Sequence, residues 1–128
     1  MRQAITAVCL IFGLLSTDAL AVETTQEMLS ACRAFATAEV SGDTARFPQN
    51  FDTGICWGAF TMIQKVIIDV DENRRPIYGV CAPPKSRLIQ LIAIFTKYAE
   101  NNPQRLHEHF SRVAFESLQK AFPCKGRR

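Results

Sequence analysis

The sequence predicts an all-α protein: a small four-helix bundle stapled by disulfides and preceded by a signal peptide. Two observations predict it. Four amphipathic stretches carry apolar residues at helical spacing, each bounded by capping or breaking residues. An apolar leader precedes a remainder with an even number of cysteines. The chain has 128 residues, 48% hydrophobic and 21% charged, with a formal net charge of +3. That length holds one domain, and that apolar fraction is ordinary for a globular protein and argues against a disordered tail. No basic run interleaved with aromatics points to nucleic acid.

Arg2 opens residues 1–21 with a positive charge. Residues 4–15 are apolar but too short to span a bilayer, so no stable membrane anchor is expected. Ala19-Leu20-Ala21 puts small residues where a signal peptidase reads. Cleavage is expected after Ala21, with residues 22–128 exported as the mature domain. Cys9 lies inside the leader and no cysteine sits at the cut, which argues against a lipoprotein. Cleavage leaves 107 residues and removes Arg2 and Asp18, so the net charge stays at +3.

The first mature helix follows Thr24-Thr25-Gln26-Glu27, a capping-box pattern. Met28, Cys32, Phe35 and Ala36 recur at helical spacing, and Ser41-Gly42 is read as its stop. The loop 41–51 carries Phe47-Pro48 and packs through its aromatics. Asp52 or Thr53 caps the second helix, whose stripe is Ile55, Ala59, Phe60, Ile63, Val66, Ile67 and Val70. Gly54 and Gly58 leave this helix two bare positions, for close approach by another backbone or as tolerated glycines costing ~1 kcal/mol each.

Residues 71–76 form a solvated turn, and 77–80 are short and extended. Pro83-Pro84 delays the third helix until Ser86, its expected cap. Its stripe is Leu88, Leu91, Ile92, Phe95, Tyr98 and Ala99. Asn102-Pro103 opens the fourth helix, since proline suits the first helical position. That helix carries Leu106, Phe110, Val113, Ala114, Leu118, Ala121 and Phe122. Pro123 ends it. Burying the four stripes together gives the bundle.

Cys32, Cys56, Cys81 and Cys124 remain after cleavage, and four cysteines in an exported chain suit a disulfide framework with three possible connectivities. Helix 56–70 rises ~21 Å. The linker 71–80 reaches ~33 Å when extended. It can therefore return Cys81 to Cys56, leaving Cys32 for Cys124. By loop entropy these closures are worth ~3.5 and ~4.7 kcal/mol. A metal site is not expected: there is no CxxC, and His107 and His109 stand two apart rather than at i, i+4. No cofactor is expected either.

Asp69, Asp71 and Glu72 cluster at a helix end. A charged turn explains them better than acid–base chemistry, which needs a shaped, partly dry pocket. Trp57 is read as a half-buried packing residue, with an exposed interface anchor as the other reading. There is no GxSxG, HExxH or phosphate loop. The expectation is a protein that is not an enzyme.

Residues 56–124 resemble the Rap1a/Tai family of type VI secretion immunity proteins. The likeness lies in Cys56-Trp57-Gly58 and in Cys81-Ala82-Pro83 before a helix carrying Gln90. Tyr98, Asn102-Pro103 and the terminal Ala121-Phe122-Pro123-Cys124 continue it. The family pattern C-x-G-(Y/F)-I-x-G is met only in part: Phe60 is the aromatic, shifted by one, and the second glycine is missing. The resemblance implies a periplasmic, helical, disulfide-bonded protein that binds and neutralises a toxic effector by occlusion, in some members a peptidoglycan amidase. The partners it implies are a cognate toxin and, further, a second copy in a homodimer. On this chain the expected toxin contact is the linker 71–80, with Arg74, Arg75 and Tyr78, because it is exposed and mixed in composition. Two readings compete with the immunity role: an orphan domain of the same fold with no toxin-binding role, and an HdeA-type periplasmic acid-stress chaperone, which opens on acidification. Against the chaperone, 47 of the 107 mature residues are apolar, enough for a core without a regulated opening.

Overall fold

The computed structural model describes residues 22–42 and 44–126. The expected signal peptide, residues 1–21, lies outside them. Helix α1 is Thr25–Cys32, followed by a 3₁₀ turn over Arg33–Thr37. Strands β1 (Glu39–Ser41) and β2 (Thr44–Arg46) come next. Helices α2 (Phe51–Val66) and α3 (Leu88–Glu100) follow, then a 3₁₀ turn Pro103–Arg105 and α4 (Phe110–Ala121).

The all-α expectation is corrected by the hairpin. β1 and β2 pair antiparallel, with Glu39 opposite Arg46, Val40 opposite Ala45 and Ser41 opposite Thr44. Opposite charges facing each other and the β-branched Val40 and Thr44 favour the pairing. Gly42 has φ +58°, a left-handed conformation that suits a tight turn and costs glycine little. Ser41 thus ends a strand and Gly42 begins the hairpin turn, so the pair is not the stop of a helix. The first helix ends earlier, at Cys32, where the chain tightens into the 3₁₀ turn.

The capping box forms as read. Thr24 Oγ1 accepts from Glu27 N at 3.2 Å, and Glu27 Oε2 accepts from Thr24 N at 2.9 Å. The next donors of α1 find partners across the fold. Thr25 N donates to Glu108 O at 2.8 Å and Gln26 N to Leu106 O at 2.9 Å. Phe110 N donates to Glu23 O at 2.9 Å. This pairing explains why Asn102-Pro103 opens only a 3₁₀ turn. The carbonyls of Leu106 and Glu108 are taken by α1, and α4 starts afresh with His109 as its cap.

Two other caps move. Asn50, rather than Asp52 or Thr53, caps α2: Asn50 Oδ1 accepts from Thr53 N, and Thr53 Oγ1 accepts from Asn50 N, both at 3.0 Å. Arg87 precedes α3 without a side-chain cap, and the buried Ser86 Oγ has no hydrogen-bond partner.

Phe60, Phe95, Met28, Leu91, Ile92, Leu118 and Val113 are the largest fully buried apolar side chains. They come from all four helices and form one core. The rings of Phe60 and Phe95 tilt against each other at 5.3 Å.

The disulfides join Cys32 to Cys56 and Cys81 to Cys124. This corrects the expected Cys56–Cys81 and Cys32–Cys124 pairing. Cys56 faces the core beside α1, fully buried with Cys32. The linker does not run back along α2 to reach it, because residues 69–77 fold upon themselves. The chain then passes to the end of α4, where Cys81 N donates to Phe122 O at 2.9 Å and Val80 bridges Pro123.

Candidate functional site: the loop between α2 and α3

α2 closes with Ile67 N donating to Ile63 O and Asp69 N to Val66 O. Beyond it the chain makes a narrow ribbon. Val70 bridges Pro76, Ile77 N donates to Asp69 O at 3.0 Å, and Asp71 N donates to Arg75 O at 2.8 Å. The tip is held by one carboxylate. Asp71 Oδ1 accepts from Asn73 N at 2.9 Å and Arg75 N at 2.8 Å, and Oδ2 meets Arg75 Nε at 3.2 Å. These N–H groups, that of Arg75 foremost, hold the Asp71 carboxyl below its usual range. Arg74 sits at φ +58°, so the tip contains a non-glycine residue in the left-handed region.

The three expected contact residues fall in this one loop, in different situations. Arg74 is exposed at the tip, and its side chain makes no hydrogen bond or ion pair among the described residues. Arg75 is exposed but tethered to Asp71. Tyr78 lies at the base, 37% exposed, stacked on Phe115 of α4 with centroids 4.8 Å apart. Its carbonyl accepts from Gln119 Nε2 at 2.8 Å. Tyr78 therefore fastens the loop as well as facing outward.

Sequence reasoning missed the loop's apolar surface. Ile68 is 73% exposed, Ile77 56% and Val70 51%. Val70 was expected in the buried stripe of the second helix, but that helix ends before it. The signal was there in the order of residues: two apolar side chains before a charged turn and one after it, Ile68, Val70 and Ile77.

The other expected features serve the scaffold. Trp57 is 40% exposed and lies at 5.4 Å from Phe47 and 6.0 Å from Phe35, centroid to centroid. With Phe47 it lines an open groove of about 370 Å³ beside the start of α2. A β-carbon at Gly54 or Gly58 would meet nothing within 4 Å, so neither glycine marks a close approach within the described chain. Tyr98 and Asn102, two residues of the resemblance, stand together: Asn102 Nδ2 donates to Tyr98 O at 2.8 Å. The Tyr98 hydroxyl donates to Glu116 Oε1 at 2.8 Å. His109 caps α4 and meets Ser111.

Fold and loop together define a small helical domain, tied by two disulfides, that displays a preformed surface loop. A family model described as Rap1a immunity proteins matches residues 22–124. The chain belongs to the Rap1a immunity protein family. No curated protein and no solved structure matches it significantly.

Proposed function

We propose that this protein is a periplasmic immunity protein that binds a toxic type VI effector and neutralises it by occlusion, without catalysis of its own. Membership of the Rap1a immunity proteins supports effector binding. The two disulfides suit an exported protein. No helix among the described residues is long and apolar enough to cross a membrane.

The observation that carries the binding surface is the loop 68–78. It presents apolar side chains on a ribbon whose tip is already fixed by Asp71. A preformed loop loses little conformational freedom on binding, and exposed apolar residues beside an arginine make an anchor of the kind interfaces use. Arg74, Arg75 and Tyr78 are the contacts, with Ile68 and Ile77 beside them. The target on this reading is an effector with a cleft able to take a narrow ribbon, a peptidoglycan amidase being the candidate.

The test is capture from the organism's own secreted fraction on the tagged, oxidised protein, read by mass spectrometry at neutral and acid pH. One stoichiometric, salt-resistant partner at neutral pH, above all a cell-wall hydrolase, is the expected result. Light scattering on the same sample shows whether the protein is a homodimer. Many weak clients appearing only in acid would replace this reading with the HdeA-type chaperone.

A further inference from the structure

The two disulfides differ in place and in access. Cys32 and Cys56 are both fully buried in the core. Cys81 is exposed and Cys124 is half-buried. The second bond lies where the loop returns to the fold. It reinforces a short set of contacts between residues 78–81 and residues 115–123, the second half of α4 and the chain just beyond it. These are Cys81 N to Phe122 O, the Val80–Pro123 bridge, Gln119 Nε2 to Tyr78 O and the Tyr78–Phe115 stack. The other end of the loop is simply the end of α2.

We propose that the Cys81–Cys124 disulfide is a redox latch on the loop, opened by a dithiol reductant before the Cys32–Cys56 bond. Thiol–disulfide exchange needs in-line access to a sulfur, which the core denies at Cys32 and Cys56. One thiolate of the dithiol attacks the Cys81 sulfur and forms a mixed disulfide. Cys124 leaves as a thiolate and takes up a proton. The second thiol of the reductant then attacks the mixed disulfide and releases Cys81 as a thiol. The dithiol ends as a disulfide and the protein gains two electrons and two protons.

With the bond open, residues 78–81 are held by one buried side chain, Val80, by the Tyr78–Phe115 stack and by a few hydrogen bonds. The loop exchanges conformations while the core and α1–α2 stay fixed. The consequence for effector binding rests on the function proposed above. The latch itself does not.

The experiment reduces the native, oxidised protein stepwise with dithiothreitol and traps thiols with iodoacetamide. Peptide mass spectrometry then reads each cysteine, and hydrogen exchange reads the backbone of the partly reduced form. Cys81 and Cys124 are expected to label at least about tenfold faster than Cys32 and Cys56. The amides of Ile77, Gly79 and Cys81 are expected to exchange at least about tenfold faster, with those of α1 and α2 unchanged. Labelling of all four cysteines together, or opening of the latch with no change at Ile77, Gly79 and Cys81, overturns the proposal. The double variant Cys81→Ser/Cys124→Ser should show the same exchange without reductant. Loss of its near-UV signal would overturn the proposal equally, since a latch opens without unfolding the domain. None of these readouts uses the effector, so failure here and failure of the capture experiment are separate results.

Discussion

Arg105, on the turn after α3, and Glu116, on α4, meet at 2.7 Å, Nη1 to Oε2. The same guanidinium holds Glu108 through Nε and Nη2, both at 2.8 Å, and reaches the Tyr98 hydroxyl at 3.0 Å. One planar fork of donors thus joins α3, the segment 106–109 and α4, a task that a lysine's compact ammonium does not match. The segment it fixes is the one whose carbonyls cap α1. A cluster at the edge of the bundle therefore orders the start of a helix elsewhere.

Acid should loosen this cluster in a defined window. Arg105 first, then Tyr98 and Lys120, hold the Glu116 carboxyl at about 2, below its ordinary value of 4.5. A carboxyl whose folded pKa is depressed adds stability above its unfolded pKa and loses it as pH falls toward the folded one. Glu108 shifts in the same direction, through Arg105. Glu116→Gln should therefore lower the urea midpoint at neutral pH and converge with the parent between about pH 4.5 and pH 2. A midpoint gap that stayed constant across that range would show that the charge on Glu116 contributes nothing.

The core should be intolerant of truncation where the second and third helices face each other. Phe60 and Phe95 are both fully buried, with rings 5.3 Å apart. Phe95→Ala removes the ring and leaves a cavity that the bundle, tied by Cys32–Cys56, closes only in part. The expected loss is about 3–5 kcal/mol in denaturant unfolding, with the slope unchanged. A loss below about 1 kcal/mol would mean that the core repacks freely.

The four helices were legible because burial leaves a period in the sequence. Phe60, Ile63 and Ile67 are buried as their spacing required, as are Leu91, Ile92, Phe95 and Ala99, and Val113, Ala114 and Leu118. Thr24 and Glu27 formed the capping box that their spacing announced. The hairpin left no such trace. Its strands are three residues each, and Glu39, Val40 and Ser41 are all exposed, so no alternation exists to be read. The start of α4 was masked because the signal at Asn102-Pro103 is local, whereas the acceptors at Leu106 and Glu108 are claimed by α1 across the fold. Disulfide pairing depended on the path of residues 69–77, which turn on the Asp71 carboxylate rather than run extended. The turn at 71–76 was legible from its charges, and the apolar surface beside it was not.

Arg74 separates binding from stability. At φ +58° an L-residue gives up about 1 kcal/mol that glycine does not, while glycine gains freedom in the unfolded chain. Arg74→Gly should therefore change the unfolding free energy by no more than about 1 kcal/mol, in either direction. It removes the unpaired cation at the tip. If the loop is the effector contact, affinity measured by calorimetry against the captured partner should fall at least about tenfold, close to one charged contact. Unchanged affinity would move the contact surface elsewhere on the molecule.

Asp71 should govern the order of the loop without governing the fold. Its carboxylate is the acceptor for Asn73 N and Arg75 N and the partner of Arg75 Nε. Asp71→Ala removes all three contacts and leaves the ribbon with its backbone bonds alone, Asp71 N to Arg75 O, Arg74 N to Asp71 O and Ile77 N to Asp69 O. Hydrogen exchange at Asn73 and Arg75 should quicken about fivefold or more, while that of α2 and α3 holds. Asp71→Asn keeps one acceptor oxygen and should fall between the two. Acid should mimic the alanine variant in the parent protein. Because the folded pKa of Asp71 is depressed, tip order persists above the ordinary carboxylate range and is lost as pH falls through the lowered value. Equal exchange in all three proteins would mean that the backbone pairing alone sets the tip, and that Asp71 adds nothing to the preformed shape on which effector recognition is argued to rest.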